Sequence, residues 1–152
     1  MTAPKYQAIH AHDIPTIELK DGVGSVTLLA GSFLGSNGPA STFTPITVMI
    51  ATLNKNKKFD FEIDAGYNTI IFSKKGKINI CDNKTINDSQ VALLSIEHER
   101  ILLEGLDDEN IVLILAGQPI NEEIAARGPF VMNTNQELQQ AMYDYSSGVL
   151  GK

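Results

Sequence analysis

Short runs of β-branched and aliphatic residues follow one another from residue 16 to residue 116, and turn signals interrupt them about every eight to twelve positions. Residues 59–63 show the pattern, since three apolar side chains alternate with two acids as on a strand with one buried face. Many short strands at this spacing predict an all-β sandwich or barrel. The predicted strands are 16–20, 24–31, 44–53, 58–63, 68–73, 77–82, 91–95, 99–105 and 110–117.

The pattern changes after Gln118. Residues 119–128 indicate an irregular or briefly helical segment, and residues 128–134, with the sequence GPFVMNT, indicate a loop that carries apolar side chains. Thr134 and Glu137 have the Thr-x-x-Glu spacing of a capping box, so a helix is expected to begin after Thr134. Its predicted apolar stripe is Leu138, Ala141, Met142 and Tyr145, and its predicted C-terminal cap is Gly148.

The size and charge of the chain limit what it can be. With 152 residues, 43% of them hydrophobic, it can form one domain with an ordinary core. A net charge of -6 and a pI near 4.9 disfavour direct contact with nucleic acid, because its phosphates would be repelled. Seven of the twelve basic residues cluster in one region, where we expect solvated hairpin tips and protected strand edges. They are Lys55, Lys57, Lys58, Lys74, Lys75, Lys77 and Lys84.

The chain has one cysteine, Cys81, which excludes an intrachain disulfide and gives no sign of secretion. It contains no apolar stretch of the ~20 residues that a transmembrane helix needs. Its N-terminus lacks the basic-then-apolar order of a signal peptide. We therefore expect a cytoplasmic protein without membrane contact.

Three segments resemble the C-terminal cupin domain of the pirin family. They are LAGSFLGSNGPASTFTPI (29–46), LILAGQPINEEI (113–124) and GPFVMNTNQELQQA (128–141), and residues 4–23 resemble the segment that leads into that domain. The resemblance implies a double-stranded β-helix, which is a cupin-type jelly-roll β-barrel, with one C-terminal α-helix. It divides the chain into an N-terminal connecting segment (1–15), a cupin barrel (16–127) and a loop with a helix (128–152).

The resemblance covers essentially the whole chain but only half of a typical pirin, which carries two cupin barrels. The chain is therefore expected to be a stand-alone domain or a fragment. In the family, three histidines and a glutamate bind the metal in the N-terminal barrel, where quercetin 2,3-dioxygenase-like activity is placed. The resemblance thus implies that this half carries no metal, no cofactor and no catalytic residue of its own.

Two functional hypotheses follow from the resemblance. The first is a non-catalytic, metal-free module that associates with itself as a homodimer, with a metal-bearing cupin partner, or with another protein. The second is a small-molecule-binding or catalytic cupin, including a pirin-like quercetin 2,3-dioxygenase or a fragment of one. Metal content and oxygen uptake with a flavonol distinguish the two. A transcriptional role like that of animal pirins receives little support, because an acidic chain is poorly suited to contact DNA.

His10 and His12 are the first candidate metal ligands. On a β-strand a His-x-His pair presents both imidazoles to one cation, and His98 is the remaining histidine that could join them. Pro15 interrupts this segment, however, and the pair lies before the first predicted strand. We therefore expect a polar linker at His10 and His12 rather than a metal site.

The region that corresponds to the cupin metal motif offers Asn68, Ile70 and Lys75. None of these is a good transition-metal ligand, and a lysine opposes a bound cation. Cys81 and His98 have the residue types of a nucleophile and a base, but no third orienting group accompanies them, and Cys81 lies in a predicted strand as a small apolar residue would.

Residues 31–41, with the sequence GSFLGSNGPAS, are rich in glycine. They lack the Gly-Lys-Ser/Thr ending and the strand-to-helix context of a phosphate-binding loop. A mobile or wrapping loop is therefore expected there.

An apolar surface is predicted near the C-terminus. Phe130, Val131 and Met132 need burial, because a soluble monomer rarely exposes such a cluster. Either they pack onto the chain's own barrel or helix, or they form an interface together with the helix. The predicted interface residues are Phe130, Val131, Met132, Leu138, Met142 and Tyr145, and a two-fold homodimer is the simplest arrangement that covers them.

Overall fold

A computed structural model describes residues 6–97 and 99–149 of the chain. The larger of its two main sheets is antiparallel and contains, in spatial order, β1 (Thr16–Leu19), β2 (Gly24–Ala30), β5 (Ile46–Leu53), β12 (Asn110–Gly117), β7 (Asn68–Lys75) and β10 (Val91–Leu93). The smaller sheet, also antiparallel, contains β6 (Lys58–Glu62), β11 (Arg100–Gly105), β8 (Ile78–Ile80) and β9 (Lys84–Ile86).

Shorter elements complete the described part of the chain. β3 (Ser32–Phe33) and β4 (Ser36–Asn37) form one small hairpin, and β13 (Ala125–Arg127) and β14 (Phe130–Met132) form another. Short 3₁₀ turns cover Ala11–Asp13 and Lys20–Gly22, and the α-helix α1 covers Asn135–Ser146. The predicted all-β class with a C-terminal helix is therefore confirmed.

Two-residue alternation gives each sheet one buried face. On β6, Phe59 and Phe61 are buried while Asp60 and Glu62 are exposed, as the sequence predicts. Full burial of one such side chain contributes about 1.5–3 kcal/mol, so the core that the two sheets share holds them together. This core includes Val26, Leu28, Met49, Ala51, Leu53, Phe59, Phe61, Ile71, Ile78, Ile101, Leu103, Val112 and Ile114.

Asn110, at the start of β12, is the polar exception in the core. Its side chain is completely buried, and its Nδ2 donates to the backbone carbonyl oxygens of Leu53 at 3.0 Å and Asp107 at 2.6 Å. Its Oδ1 accepts from the Asp107 amide at 3.1 Å. A Cβ at Gly105 would collide with this amide group, so glycine at that position leaves the space that Asn110 fills. The buried asparagine thereby fixes the turn between β11 and β12.

The chain divides into two compact units between Pro119 and Ile120. The sequence predicts the division after residue 127 instead. It also predicts an irregular or briefly helical segment at residues 119–128 and a loop at residues 128–134. Both segment predictions are wrong where β13 and β14 pair, because Arg127 faces Phe130 across a two-residue turn. Gly128 has a φ of +57°, which the first position of a tight hairpin turn favours.

The helix α1 begins and ends as the sequence predicts. Thr134 Oγ1 accepts from the Glu137 amide at 3.2 Å, and Glu137 Oε2 accepts from the Thr134 amide at 3.0 Å, which is a complete capping box. At the other end Gly148 has a φ of +72°, and the Val149 amide donates to the Asp144 carbonyl oxygen at 2.9 Å.

Within its own unit, α1 packs against β13 and β14. Leu138 and Ala141 are the buried positions of the helix, whereas Met142 and Tyr145 remain exposed. The buried stripe is therefore narrower than the predicted one. No helix among the described residues is long and apolar enough to cross a membrane.

Candidate functional site

The inner face of β7 differs from the one that the sequence suggests. Asn68, Ile70 and Lys75 were the positions expected in the cupin metal motif, but the fully buried positions on this strand are Ile71 and Ser73, with Thr69 almost as deep. Apolar residues occupy both odd and even positions along β7, so the alternation of side chains does not by itself identify the face that points into the core. Ser73 Oγ donates to the Gly76 carbonyl oxygen at 2.6 Å, so its proton is engaged in the turn after the strand.

Two small recesses formed by described residues lie beside the core. One of about 90 Å³ is lined by Ser32, Thr47, Glu62 and Asp64, and one of about 250 Å³ is lined mainly by Thr69, Ile80, Ile101 and neighbouring loop residues. Burial, and secondarily a hydrogen bond with Asp64, raises the pKa of Tyr67 beside the smaller recess. Two carboxylates do not complete a metal site. Within residues 6–97 and 99–149, no three His, Cys, Asp or Glu side chains come together to hold an ion. The absence of a bound metal stays a prediction.

His10 and His12 lie on an exposed 3₁₀ turn rather than on a strand. Their rings stack with centroids 5.4 Å apart, and His12 Nε2 lies 3.4 Å from Asp13 Oδ1. The Asp13 carboxylate also accepts from the His10 amide at 3.3 Å. These contacts are those of a solvated polar turn, and the strand geometry that favours a His-x-His site does not apply. His98, the third candidate ligand, lies outside the described residues.

Cys81 was expected in a strand, but the structure places it outside one. It is exposed in the turn between β8 and β9, with a φ of +51°. The glycine-rich segment is likewise a defined hairpin, because β3 and β4 pair within it and Leu34 with Gly35 forms its tip. Leu34 has a φ of +46° and is 70% exposed.

An apolar surface lies on the larger sheet, on the side opposite the core. Paired residues point to the same side of a sheet, so the registers of four adjacent strands define two rows there. One row is Ile50, Leu113, Phe72 and Val91, and the next is Val48, Leu115, Ile70 and Leu93. We call these eight residues the outer face. Its inner members are half-buried, whereas Val91 and Leu93 on the edge strand are 59% and 74% exposed.

Sequence reasoning missed the outer face, although a signal for it was present. Residues 111–116 are six consecutive apolar residues, and residues 46–53 are nearly as continuous. Such uninterrupted runs are typical of strands that are covered on both faces, whereas a strand with one wet face alternates. The pattern thus indicates that the outer face is built to be covered.

An open groove of about 750 Å³ lies between β1 and β6, the end strands of the two sheets. Arg100 lines it and forms a bidentate ion pair with Asp60, with Nε 2.8 Å from Oδ1. The hydrogen bond from this guanidinium holds the pKa of Asp60 below its usual value. Lys58 pairs with Asp82 at 2.8 Å, so this cluster lysine is a solvated strand-edge charge as predicted.

The predicted interface residues near the C-terminus have mixed exposures. Val131 is 65% exposed and Tyr145 67% exposed, and the Tyr145 ring stands edge-on to Phe130 with centroids 5.7 Å apart. Leu138 is only 4% exposed, so its side chain supports this surface from beneath rather than presenting itself to a partner. Met132 is half-buried and Met142 is 37% exposed. An interface at these residues stays a prediction.

The chain is similar in sequence and in fold to known proteins. Residues 48–151 match the Pirin C-terminal cupin domain. Pirin of Mus musculus is 32% identical over 155 residues, which cover 99% of this chain and 52% of that protein. A pirin-like protein of Solanum lycopersicum is 33% identical over 153 residues, again 99% of this chain and 52% of the relative.

A crystal structure of quercetin 2,3-dioxygenase from Acinetobacter baumannii is 35% identical to the chain and superposes with a TM-score of 0.91. The match covers 97% of this chain and 51% of that one. The chain therefore spans about half the length of the relatives that it matches. The likeness confirms the predicted cupin-type β-barrel with a C-terminal helix.

Proposed function

This chain belongs to the pirin family and matches its C-terminal cupin domain, and on that premise we propose that it acts by associating with another protein surface rather than by catalysis. The outer face carries the proposal. Two rows of apolar side chains cross four strands there, and apolar patches of this kind mark interaction sites in soluble proteins. The predicted cytoplasmic location belongs to the same proposal.

The composition of the barrel interior supports an associating role. Large apolar side chains such as Met49, Leu53, Ile71 and Leu103 are almost completely buried in it. A cupin that binds a substrate inside its barrel needs a pocket with a few convergent polar groups, usually of at least about 300 Å³. Two recesses beside the core, of about 90 and 250 Å³, are smaller than that. The groove of about 750 Å³ reaches Phe59 and Phe61, but it is open to solvent between the end strands of the two sheets.

The proposed partner is another cupin-type barrel, either a second copy of this chain or a metal-bearing cupin. The relatives are about twice as long as the chain, so each contains further sequence that could cover the same face. A two-fold pair of copies would cover the outer face by one self-complementary contact. A stable pair typically buries about 800 Å² per partner.

Light scattering on three proteins tests self-association and locates it. The wild type at micromolar concentration should be a dimer, and Leu113→Asp should make it monomeric, because a carboxylate at the centre of the outer face would be buried in the contact. Phe130→Asp tests the C-terminal interface that the sequence predicts, and it should leave the dimer intact if the outer face forms the contact. A monomeric wild type rejects the homodimer, and a dimer disrupted by Phe130→Asp alone places the interface at the C-terminal residues.

A catalytic or small-molecule-binding role is the second candidate. It is favoured by the 35% identity to a structure named quercetin 2,3-dioxygenase, although only half of that chain is matched. Elemental analysis together with oxygen uptake in the presence of quercetin tests it. About one iron, nickel, copper or zinc ion per chain after dialysis, with oxygen uptake that persists in His10→Ala/His12→Ala, would establish a barrel metal site and overturn the non-catalytic proposal.

A further inference from the structure

The groove between β1 and β6 is walled on both sides by unpaired strand edges. Within residues 6–97 and 99–149, β1 pairs with β2 alone and β6 pairs with β11 alone. Both strands line the same opening of about 750 Å³. An unpaired edge presents a row of backbone donors and acceptors with which another extended chain can pair. The groove is separate from the outer face, since it opens at the end strands.

The direction of the backbone groups on β6 follows from its pairing. The Ile63 amide donates to the Glu99 carbonyl oxygen at 2.8 Å, so residue 63 directs its backbone groups toward β11. Backbone groups alternate sides along an antiparallel strand, so Phe59 and Phe61 also face β11. Lys58, Asp60 and Glu62 therefore direct their N–H and C=O groups into the groove.

The same reasoning applies to β1. The Pro15 carbonyl oxygen accepts from the Leu28 amide at 3.0 Å, which directs the odd-numbered residues of this segment toward β2. Thr16 and Glu18 then direct their backbone groups away from β2. The opening is thus bordered by backbone donors and acceptors on both sides, which is the environment that an extended peptide requires.

The side chains around the groove indicate what such a peptide would carry. Phe33 lies edge-on to Phe59 with centroids 5.9 Å apart, and with the exposed Leu34 it forms an apolar surface. The basic side chains Lys58 and Arg100 are already engaged in ion pairs.

The carboxylates in the groove are less occupied. Among the described residues, Glu18, Asp21 and Glu62 form no ion pair. Two lysines without an ion pair accompany them: Lys20, which lines the groove, and Lys57, whose ammonium donates to the Asp21 backbone carbonyl oxygen at 2.9 Å. Three carboxylates against two lysines leave this part of the groove a negative excess of one charge, on a chain whose net charge is already -6. Charge complementarity therefore favours a basic occupant.

We propose that this groove binds an extended peptide segment whose side chains alternate between apolar and basic, and that the segment adds as a strand to the free edge of β6. Backbone hydrogen bonds to Asp60 and Glu62 would hold it in register. Its apolar side chains would lie against Phe33 and Leu34, and its basic side chains would approach the free carboxylates.

Calorimetric titration with a blocked synthetic peptide of about seven residues that alternates valine and lysine tests the proposal. Glu62→Pro removes one N–H that faces the groove and leaves the β6–β11 hydrogen bonds in place, since proline is tolerated on edge strands. It should weaken binding at least about tenfold. The matched control Glu62→Gln keeps the N–H and removes only the charge, and it should weaken binding about two- to threefold.

Amide hydrogen exchange of the wild type gives a second readout that requires no variant. Exchange at Asp60 and Glu62 should slow when the peptide binds. The proposal is overturned if the peptide does not bind at about 1 mM, if a valine–glutamate peptide binds equally well, if Glu62→Pro binds as tightly as the wild type, or if the two amides are not protected.

Discussion

Replacing Asn110 by aspartate tests how the buried turn between β11 and β12 is held. The asparagine is completely buried, and its Nδ2 donates to two backbone carbonyl oxygens, those of Leu53 and Asp107. Aspartate has nearly the same shape but no side-chain N–H group. When ionised it would place a carboxylate against both carbonyl oxygens in the core. The variant must therefore either lose stability or keep a proton on the new carboxyl group.

The losses of stability expected for Asn110→Ala and Asn110→Asp differ in their dependence on pH. Asn110→Ala removes three hydrogen bonds at about 1 kcal/mol each, so it should cost about 3 kcal/mol at every pH. In Asn110→Asp, burial raises the folded-state pKa of the new carboxyl above its unfolded value of about 3.9. Below pH 3.9 the group is protonated in both states and adds no ionisation penalty. Above it, ionisation favours the unfolded state, and stability falls by about 1.4 kcal/mol per pH unit until the folded pKa is reached.

Urea unfolding of the wild type, Asn110→Ala and Asn110→Asp at about pH 4, 5.5 and 7 measures this difference. The free-energy gap between Asn110→Asp and the wild type should widen with pH, while the gap for Asn110→Ala should stay constant. An Asn110→Asp gap that does not change between pH 4 and pH 7 would refute the burial of this side chain against the two carbonyl oxygens.

Three further predictions concern single contacts. Thr134→Ala removes the N-terminal cap of α1, so it should lower the free energy of unfolding of the helix and its hairpin by about 1 kcal/mol. Amide hydrogen exchange measures this loss, and an unchanged exchange rate would contradict the capping box. Gly76→Ala should lower the free energy of unfolding, measured in urea, clearly more than the matched control Gly66→Ala. Both glycines have a positive φ, but of the two only Gly76 lies where a Cβ would meet a backbone carbonyl oxygen, that of Glu109. Equal losses of stability would contradict this close approach of the two backbone segments. Because the hydrogen bond from Arg100 holds the folded pKa of Asp60 below its unfolded value, the ion pair stabilises the fold above about pH 4. This stability is lost as pH falls through the folded pKa, so the stability gap between Asp60→Asn and the wild type should narrow as pH is lowered below about 4. A gap that stays constant in acid would contradict this assignment.

Several features could be predicted from sequence because they depend on neighbouring residues. The alternation of Phe59 and Phe61 with Asp60 identified a strand with one wet face, and the structure has it. The capping box of Thr134 with Glu137 located the start of α1 to the residue. The segments that resemble the pirin C-terminal cupin domain identified the family, which the match over residues 48–151 confirms.

Other features could not be predicted, because they depend on which strands pair. Ile70 and Ile71 are equally apolar, so the sequence does not reveal that Ile71 enters the core while Ile70 joins the outer face. The same ambiguity affects β5 and β12. The hairpin of β13 and β14 was also missed, since residues 119–128 carry no strand alternation and the strand exists through its pairing partner.

The sequence by itself determined the all-β class and the ends of the helix, since short-range periodicity and capping act over a few residues. The family followed from the resemblance of three segments to the pirin C-terminal cupin domain. Tertiary structure alone decided the inner register of β7, the composition of the outer face and the existence of the groove. The groove brings together Glu18 and Glu62, which are far apart along the chain, because β1 and β6 each end a different sheet. Long-range strand pairing sets that position, and it depends on the packing of the whole barrel rather than on any local pattern.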